Sequence, residues 1–178
     1  MIRCHQVALF ATAALLWPIA PATAQIAFDE DATLRGIRTM GIAIAIKIKS
    51  QPQIAIDTQA VRESLEQAVE LELRRTGITV RDAPFCTSKK QCGPDFGIVW
   101  LEVIIMDHGP DVLLSSYQLY FKQRATLSSG YSDFMTTWSN GALLSIDPRK
   151  SSFPEFLRQN VAGTVTLFLN SYMKANPR

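Results

Sequence analysis

Met40-Gly-Ile-Ala-Ile-Ala-Ile-Lys-Ile-Lys49 carries isoleucine at every second position. In an extended chain Ile42, Ile44, Ile46 and Ile48 face one way, and the alanines and lysines between them face the other. This alternation of β-branched residues with period two is typical of a strand with one well-buried face. The isoleucine face therefore requires a covering layer of apolar side chains from other elements.

Two amphipathic helices are predicted to supply that layer. The first follows a cap at Asp57 or Thr58 and ends before Gly77, a residue suited to the left-handed turn after a helix. The second opens with Ser152-Phe-Pro-Glu155, which matches a capping box with proline in the first turn. Apolar residues recur at helical spacing in both segments. They are Val61, Leu65, Ala68, Val69 and Leu73 in the first, and Leu157, Val161, Val165, Phe168 and Tyr172 in the second.

Four more strands are predicted between the helices. They cover Ile78–Val80, Ile98–Met106, Tyr117–Leu127 and Phe134–Ile146, and a bulge is expected in the last of them around Ser139-Asn-Gly141. The sequence therefore predicts an α+β fold of order β-α-β-β-β-β-α. We expect a mixed, mostly antiparallel sheet with the two helices packed on one face.

The N-terminus has the features of a secretory signal peptide. Arg3 is followed by the apolar segment Val7–Trp17 and then by Ala22-Thr-Ala24, the order of a charged region, an apolar region and a cleavage site. We expect cleavage after Ala24 and no lipid anchor, because Gln25 stands where a lipoprotein carries cysteine. Removal of 24 of the 178 residues leaves 154, the usual size of one domain.

The predicted organisation is therefore a signal peptide over residues 1–24, a flexible arm over 25–36 and a single α+β domain over 37–178. The protein is expected in the periplasm or outside the cell. The charge is nearly balanced, with 18 basic and 16 acidic residues and no basic cluster, which does not favour a nucleic-acid partner. No later segment is long and apolar enough to predict a membrane span.

Cys86 and Cys92 remain after signal cleavage. In an exported protein, two loop cysteines most simply form a disulfide with each other. A metal site would need further ligands, and the five-residue spacing differs from that of thiol oxidoreductases. The prediction is a disulfide, with a metal or redox role as the alternatives.

Catalytic and cofactor motifs are weak in this sequence. It contains no Gly-rich dinucleotide loop and no phosphate-binding loop, so no cofactor and no metal are predicted. A small hydrolase using Asp107, His108 and Glu102 is the enzymatic alternative, and it requires these groups to converge in one pocket. Glu102 also has a simpler interpretation, as a solvent-facing carboxylate paired with Lys122 or Arg124 on the neighbouring strand.

Aromatic residues suggest a binding surface. Trp100, Tyr120 and Trp138 lie on three consecutive predicted strands and could line up on the face that the helices leave uncovered. An exposed aromatic row of this kind binds proteins or small ligands. Alternatively, the three side chains pack under the N-terminal arm or under the long loop.

The order of elements resembles a recurrent module of the bacterial cell envelope. The resemblance is carried by Gly41–Ile48, by the helix end Leu73-Arg-Arg-Thr-Gly77-Ile, by Gly97–Met106 and by Val161–Tyr172. Such modules are found in the Tol-system β-propeller protein, the curli-secretion lipoprotein and lipoprotein activators of peptidoglycan synthases. The resemblance implies a non-enzymatic adaptor that binds an envelope protein. The residues themselves offer two alternatives, a small hydrolase using Asp107, His108 and Glu102 and a small-ligand carrier using the aromatic face.

Overall fold

The structure, a computed structural model, describes residues 33–49, 55–82, 93–107, 112–147 and 152–177. Its elements are, in chain order, β1 (Thr39–Ile48), α1 (Thr58–Arg75), β2 (Thr79–Asp82), β3 (Phe96–Asp107), β4 (Leu113–Thr126), β5 (Ser132–Ile146) and α2 (Phe153–Ala175). This order confirms the predicted β-α-β-β-β-β-α arrangement and the α+β fold.

The five strands form one mixed sheet in the order β2-β1-β3-β4-β5. β1 pairs in parallel with both β2 and β3, whereas β3 with β4 and β4 with β5 are antiparallel. The alternating strand recognised first in the sequence therefore lies inside the sheet. The two longest pairings join β3, β4 and β5, which form an antiparallel meander.

Both helices cover the same face of the sheet. The predicted stripe of α1 is buried without exception, and in α2 Leu157, Val161 and Val165 are completely buried. These side chains join one apolar cluster with alternate residues of the strands, including Val99, Leu101, Val103 and Ile105 of β3. The second helix stripe ends in the half-buried Tyr172, whose hydroxyl donates a hydrogen bond to the Ile37 carbonyl at 2.7 Å.

The two helices begin in different ways. The Asp57 carboxylate caps α1, accepting hydrogen bonds from the backbone N–H groups of Gln59 and Ala60 at 3.0 Å. The capping box predicted for α2 is absent: the Ser152 side chain makes no capping bond. Glu155 instead accepts hydrogen bonds from the Arg158 guanidinium one turn along, so the carboxylate does not reach back to the helix start.

The observed strands differ from the predicted ones in where they begin and in the position of the bulge. β4 begins at Leu113 rather than Tyr117, and β5 at Ser132 rather than Phe134. The register shift lies opposite Phe121 and Lys122, so the extra residue is Thr137 rather than the Ser139–Gly141 segment. The turn glycine Gly141 is instead an ordinary paired residue of β5, opposite Gln118.

The described end of the predicted N-terminal arm is packed. Leu34 is fully buried, and its carbonyl accepts a hydrogen bond from the Asn176 side chain. The same Asn176 amide accepts one from the Gly36 N–H at 2.7 Å. The packed domain therefore begins by Leu34, and residues 33–36 belong to it rather than to a flexible arm.

Candidate functional site: the open face of the sheet

One face of the sheet carries no covering helix among the described residues, and we call it the open face. Alternate residues of four strands point to this face. On β1 and β5 they are the odd-numbered residues from Ala43 to Lys47 and from Ser139 to Leu143. On β3 and β4 they are the even-numbered residues from Ile98 to Met106 and from Leu114 to Lys122. Trp100 and Tyr120 are direct cross-strand partners on it.

One end of the open face is closed by its own side chains. Phe96 and Ile98 are buried there, packed with Ala43, Trp100 and Phe134. The rings of Phe96 and Phe134 meet edge to face with centroids 6.4 Å apart, a favoured geometry for an aromatic pair. Trp100 therefore packs against a small second core on the open face.

A cation lies at the boundary of that small core. The Lys122 Nζ is 4.4 Å from the centroid of the Trp100 ring and 5.7 Å from that of Tyr120. Both distances are within the range of cation–π attraction. The two rings therefore hold the Lys122 ammonium against the sheet while the side chain remains half-exposed. The sequence analysis found the two aromatic residues but not this third member.

Glu102 lies on the open face, as expected, but its partner is different. Its carboxylate pairs with Lys47 of β1, at 2.5 Å between Nζ and Oε1. Lys122 is opposite Ile98, four residues from Glu102 along β3, which is about 13 Å in an extended strand. The predicted pairing with Lys122 or Arg124 on β4 is therefore wrong, because those residues lie too far along the sheet.

A hollow of about 340 Å³ opens beside the aromatic pair. It is lined by Glu102, Ile104, Ser116, Tyr117, Gln118, Tyr120, Gly141, Ala142 and Leu143. Gly141 helps to keep the backbones close here, since a Cβ at this position would lie 2.3 Å from the Tyr117 carbonyl oxygen. Leu143 is 68% exposed at the rim. The hollow thus combines apolar walls with one carboxylate and one amide.

Trp138 is on the other side of the sheet. It pairs with Phe121, is only 7% exposed, and its ring lies edge to face on Phe168 of α2 at 5.2 Å. The prediction that Trp138 joins Trp100 and Tyr120 on the uncovered face is therefore wrong. The register of β5 against β4 places Trp138 on the helix side, and a shift by one residue reverses the face of a side chain.

A larger hollow lies where the C-terminal ends of the two helices meet, with a volume of about 700 Å³ and walls that include Arg75, Tyr172 and Asn176. Its polar groups already bind within the protein. Arg75 pairs with Glu72, and Tyr172 and Asn176 hold the segment around Leu34 and Ile37. The polar groups of this hollow therefore have a structural role, because they hold the first residues of the domain against the ends of the helices.

Several residues singled out in the sequence lie outside the described residues. These are the signal peptide, the Cys86 and Cys92 pair, and His108. Asp107 is described only as the last residue of β3. Within the described residues, no group of three or more His, Cys, Asp or Glu side chains could hold a metal ion. No helix in this part of the chain is long and apolar enough to cross a membrane.

The sequence matches no known family model and no curated protein. The fold is similar to several solved structures at low identity. A PelC variant that forms a dodecamer, from Paraburkholderia phytofirmans, is 16% identical with a TM-score of 0.45, over 74% of this chain and 88% of that one. A protein described as a neuraminyllactose-binding hemagglutinin homolog, from Helicobacter pylori, is 13% identical with a TM-score of 0.45, over 79% of this chain and 88% of that one.

A third solved structure, the rare lipoprotein B of Shewanella oneidensis, is 12% identical with a TM-score of 0.30, over 75% of this chain and 94% of that one. At these identities and TM-scores the likeness assigns no function to this chain. The comparisons do not identify the Tol-system, curli-secretion or synthase-activator families, so that resemblance stays a prediction.

Proposed function

We propose that this protein is an exported, non-enzymatic binding module of the cell envelope, and that its open face binds an acidic segment of a partner protein that also carries an apolar side chain. The observation that carries the proposal is the Lys122 ammonium held over Trp100 and Tyr120 beside an open hollow. The Lys122 ammonium, the two aromatic rings and the recess lie next to one another on the same face, and Trp and Tyr are enriched in binding hot spots.

The charges of this surface favour a negative partner. Among the residues of β1, β3 and β4 that form the open face, Lys47 and Lys122 stand against the single carboxylate of Glu102. Lys47 is neutralised by Glu102. The remaining positive charge lies next to the rings, so a carboxylate of the partner would meet a cation that is already positioned.

The hollow would receive the apolar side chain of the partner. Ile104, Tyr120 and Leu143 provide apolar contact area, and the Gln118 amide provides a hydrogen-bonding group. A recess of about 340 Å³ is large enough for one side chain and is at the small end of ligand pockets. Side chains in this position exclude water from the neighbouring ion pair, which strengthens it.

The arrangement of carboxylates supports a binding role over hydrolysis. The Glu102 carboxylate is already engaged with the Lys47 ammonium of the neighbouring strand. Asp107 is the fifth residue after Glu102 on β3, which places their Cα atoms about 16 Å apart along the strand. A shared catalytic pocket usually holds its acid and base at shorter distances.

The test is a selection of short random peptides displayed on phage against the purified protein. We expect the enriched peptides to combine Asp or Glu with an aromatic or aliphatic residue. Their affinity should fall at least about tenfold in Lys122→Glu and in Tyr120→Ala, and it should weaken as salt is raised. Lys174→Glu on α2 and Tyr131→Ala in the β4–β5 turn are matched controls, both exposed and both away from the open face.

Peptides that bind the two open-face variants as tightly as the unchanged protein would contradict the proposal, and so would a selection without enrichment. A small-ligand carrier is the second candidate, and the hollow is the observation that favours it. Saturable binding of the aromatic anion 8-anilinonaphthalene-1-sulfonate, lost in Tyr120→Ala, together with no peptide enrichment, would favour the carrier instead.

Export is tested separately from binding. N-terminal sequencing of the protein recovered from the producing cell should begin at Gln25. Thiol labelling of the same material under denaturing, non-reducing conditions should find no free thiol at Cys86 or Cys92. Retention of residues 1–24 in a protein confined to the cytoplasm would contradict the envelope location and would leave the peptide-binding experiment unaffected.

A further inference from the structure

The two edges of the sheet are very different. β2 ends one side with four residues, a length that gives another strand little to pair with. β5 ends the other side with fifteen residues, Ser132–Ile146. Within the described residues no strand pairs with the outer side of β5. Alternate backbone N–H and C=O groups along this side therefore have no strand partner within the described part of the chain.

The protective devices usual at a sheet edge are scarce on β5. Its fifteen residues include one charged residue, Asp133, and neither lysine nor proline. The bulge at Thr137 disturbs only the first half of the strand. The second half, Ser139–Ile146, is regularly paired with β4 and carries no charge. An exposed, regular and uncharged edge is the form that adds a strand from another chain.

The second half of β5 is complementary to itself. In an antiparallel pairing centred on Leu143, that leucine meets the Leu143 of a second copy, Ala142 meets Leu144, and Gly141 meets Ser145. In each pair the two side chains point to the same face of the sheet, as an antiparallel ladder requires. No pair brings like charges together. Leu143 is 68% exposed in the single chain and would lose much of that exposure against its counterpart.

We infer that the protein self-associates by antiparallel pairing of Asn140–Ile146 of β5 with the same segment of a second copy. The two-fold axis of such a pairing is perpendicular to the sheet. The two open faces then lie on one side of a continuous sheet built from the five described strands of each copy, and the described helices of both copies lie on the other. This gives a partner two equivalent surfaces side by side, which raises affinity for a partner that offers two segments.

Sedimentation velocity on the purified protein over a range of concentrations tests the inference. We expect a reversible dimer for the unchanged chain. Leu143→Lys should raise the dissociation constant of the dimer at least about tenfold, because it places two ammonium groups opposite each other. Leu167→Lys is the matched control: it makes the same change at an exposed leucine of α2 and should leave the dimer intact.

A mixture of two variants separates edge pairing from general loss of apolar surface. Leu143→Lys and Leu143→Glu should each be weakened as dimers, whereas an equal mixture should associate again through opposite charges across the axis. Circular dichroism of each variant confirms that the fold is retained. A chain that stays monomeric at the highest soluble concentration overturns the inference, and so does a mixture that does not associate.

The self-association and the proposed binding function fail separately. Because Leu143 also lines the hollow, Leu143→Lys should weaken both the dimer and peptide binding, whereas renewed association in the mixture of Leu143→Lys and Leu143→Glu reports the edge contact alone. Loss of peptide binding in Lys122→Glu with the dimer kept tests the open face alone. Lys122 lies on β4 and not on the β5 edge.

Discussion

The two faces of the sheet are made from the same strands but are buried in different ways. On β3, Val99, Leu101, Val103 and Ile105 are at most 1% exposed, whereas the alternating residues from Trp100 to Met106 are half-exposed. Residues of similar apolarity occur on both sides. The difference comes from the helices, because in the part of the chain that the structure describes only one face has a second layer against which apolar area is removed from water.

Polar groups follow the same division. On the covered face the Tyr117 hydroxyl reaches the Thr164 hydroxyl at 2.7 Å and donates to the Asn160 carbonyl at 3.1 Å, both in α2. On the open face the charged groups include the ion pair of Lys47 and Glu102 and the ammonium of Lys122. Burial demands internal hydrogen bonds, and the open face can leave its charges partly in water.

Truncation of one side chain on each face gives the largest contrast. Leu101→Ala removes a fully buried side chain from the covered face and should lower the free energy of unfolding by about 2–5 kcal/mol. Ile104→Ala, three residues along the same strand on the open face, should cost about 1 kcal/mol or less, because its side chain is already half-exposed. Chemical denaturation measures both. Equal losses would mean that something also covers the open face.

Replacing glycine by alanine should lower the free energy of unfolding at one position and raise it at another. A Cβ at Gly97 of β3 would lie 2.2 Å from the buried Phe121 ring, so Gly97→Ala should destabilise by about 1–3 kcal/mol. A Cβ at Gly163 of α2 would meet nothing within 4 Å, so Gly163→Ala should stabilise by about 0.5–1 kcal/mol. Denaturant midpoints compare the two. A neutral Gly97→Ala would show that the covered face is loosely packed.

The starts of the two covering helices are expected to differ. Asp57→Ala removes two capping hydrogen bonds from α1 and should lower the free energy of unfolding by about 1 kcal/mol. Ser152→Ala removes no capping bond from α2 and should change it by less than about 0.5 kcal/mol. Thermal unfolding at neutral pH checks the pair. A larger loss of stability in Ser152→Ala would show that the Ser152 side chain caps α2 in solution, as the sequence predicted.

The smallest effect concerns Glu155 at the start of α2. Hydrogen bonds from Arg158 and then from Gln159 lower the pKa of its carboxyl from 4.5 to about 2. Because the folded pKa is below the unfolded one, the pair stabilises the fold above about pH 4.5, and this contribution is lost as pH falls towards 2. The group is exposed, so the contribution is small.

The stability difference between the unchanged protein and Glu155→Gln should therefore be present at neutral pH and absent near pH 2. Glu66→Gln, at an exposed position of α1, is the control. A carboxyl of Glu155 that titrates by NMR at its ordinary value would show that Arg158 and Gln159 do not hold it in solution.

The sequence by itself determined the order of elements, the buried stripe of α1 and the glycine that ends that helix. These depend on local spacing: period two in strands, 3.6 in helices, and a positive φ of 80° at Gly77. Glu102 on the solvent side also followed from alternation along one strand. Each of these predictions needed only residues that are close together in the chain.

Only the tertiary structure decided which strands are neighbours and in what register. That choice placed Trp138 under α2, joined Glu102 to Lys47 instead of Lys122, and moved Lys122 onto Trp100. It also left β5 as the long edge. These contacts join residues that are far apart in the sequence. A shift of one residue in the pairing of a strand would have moved its side chains to the other face of the sheet. No local pattern could therefore predict the contacts.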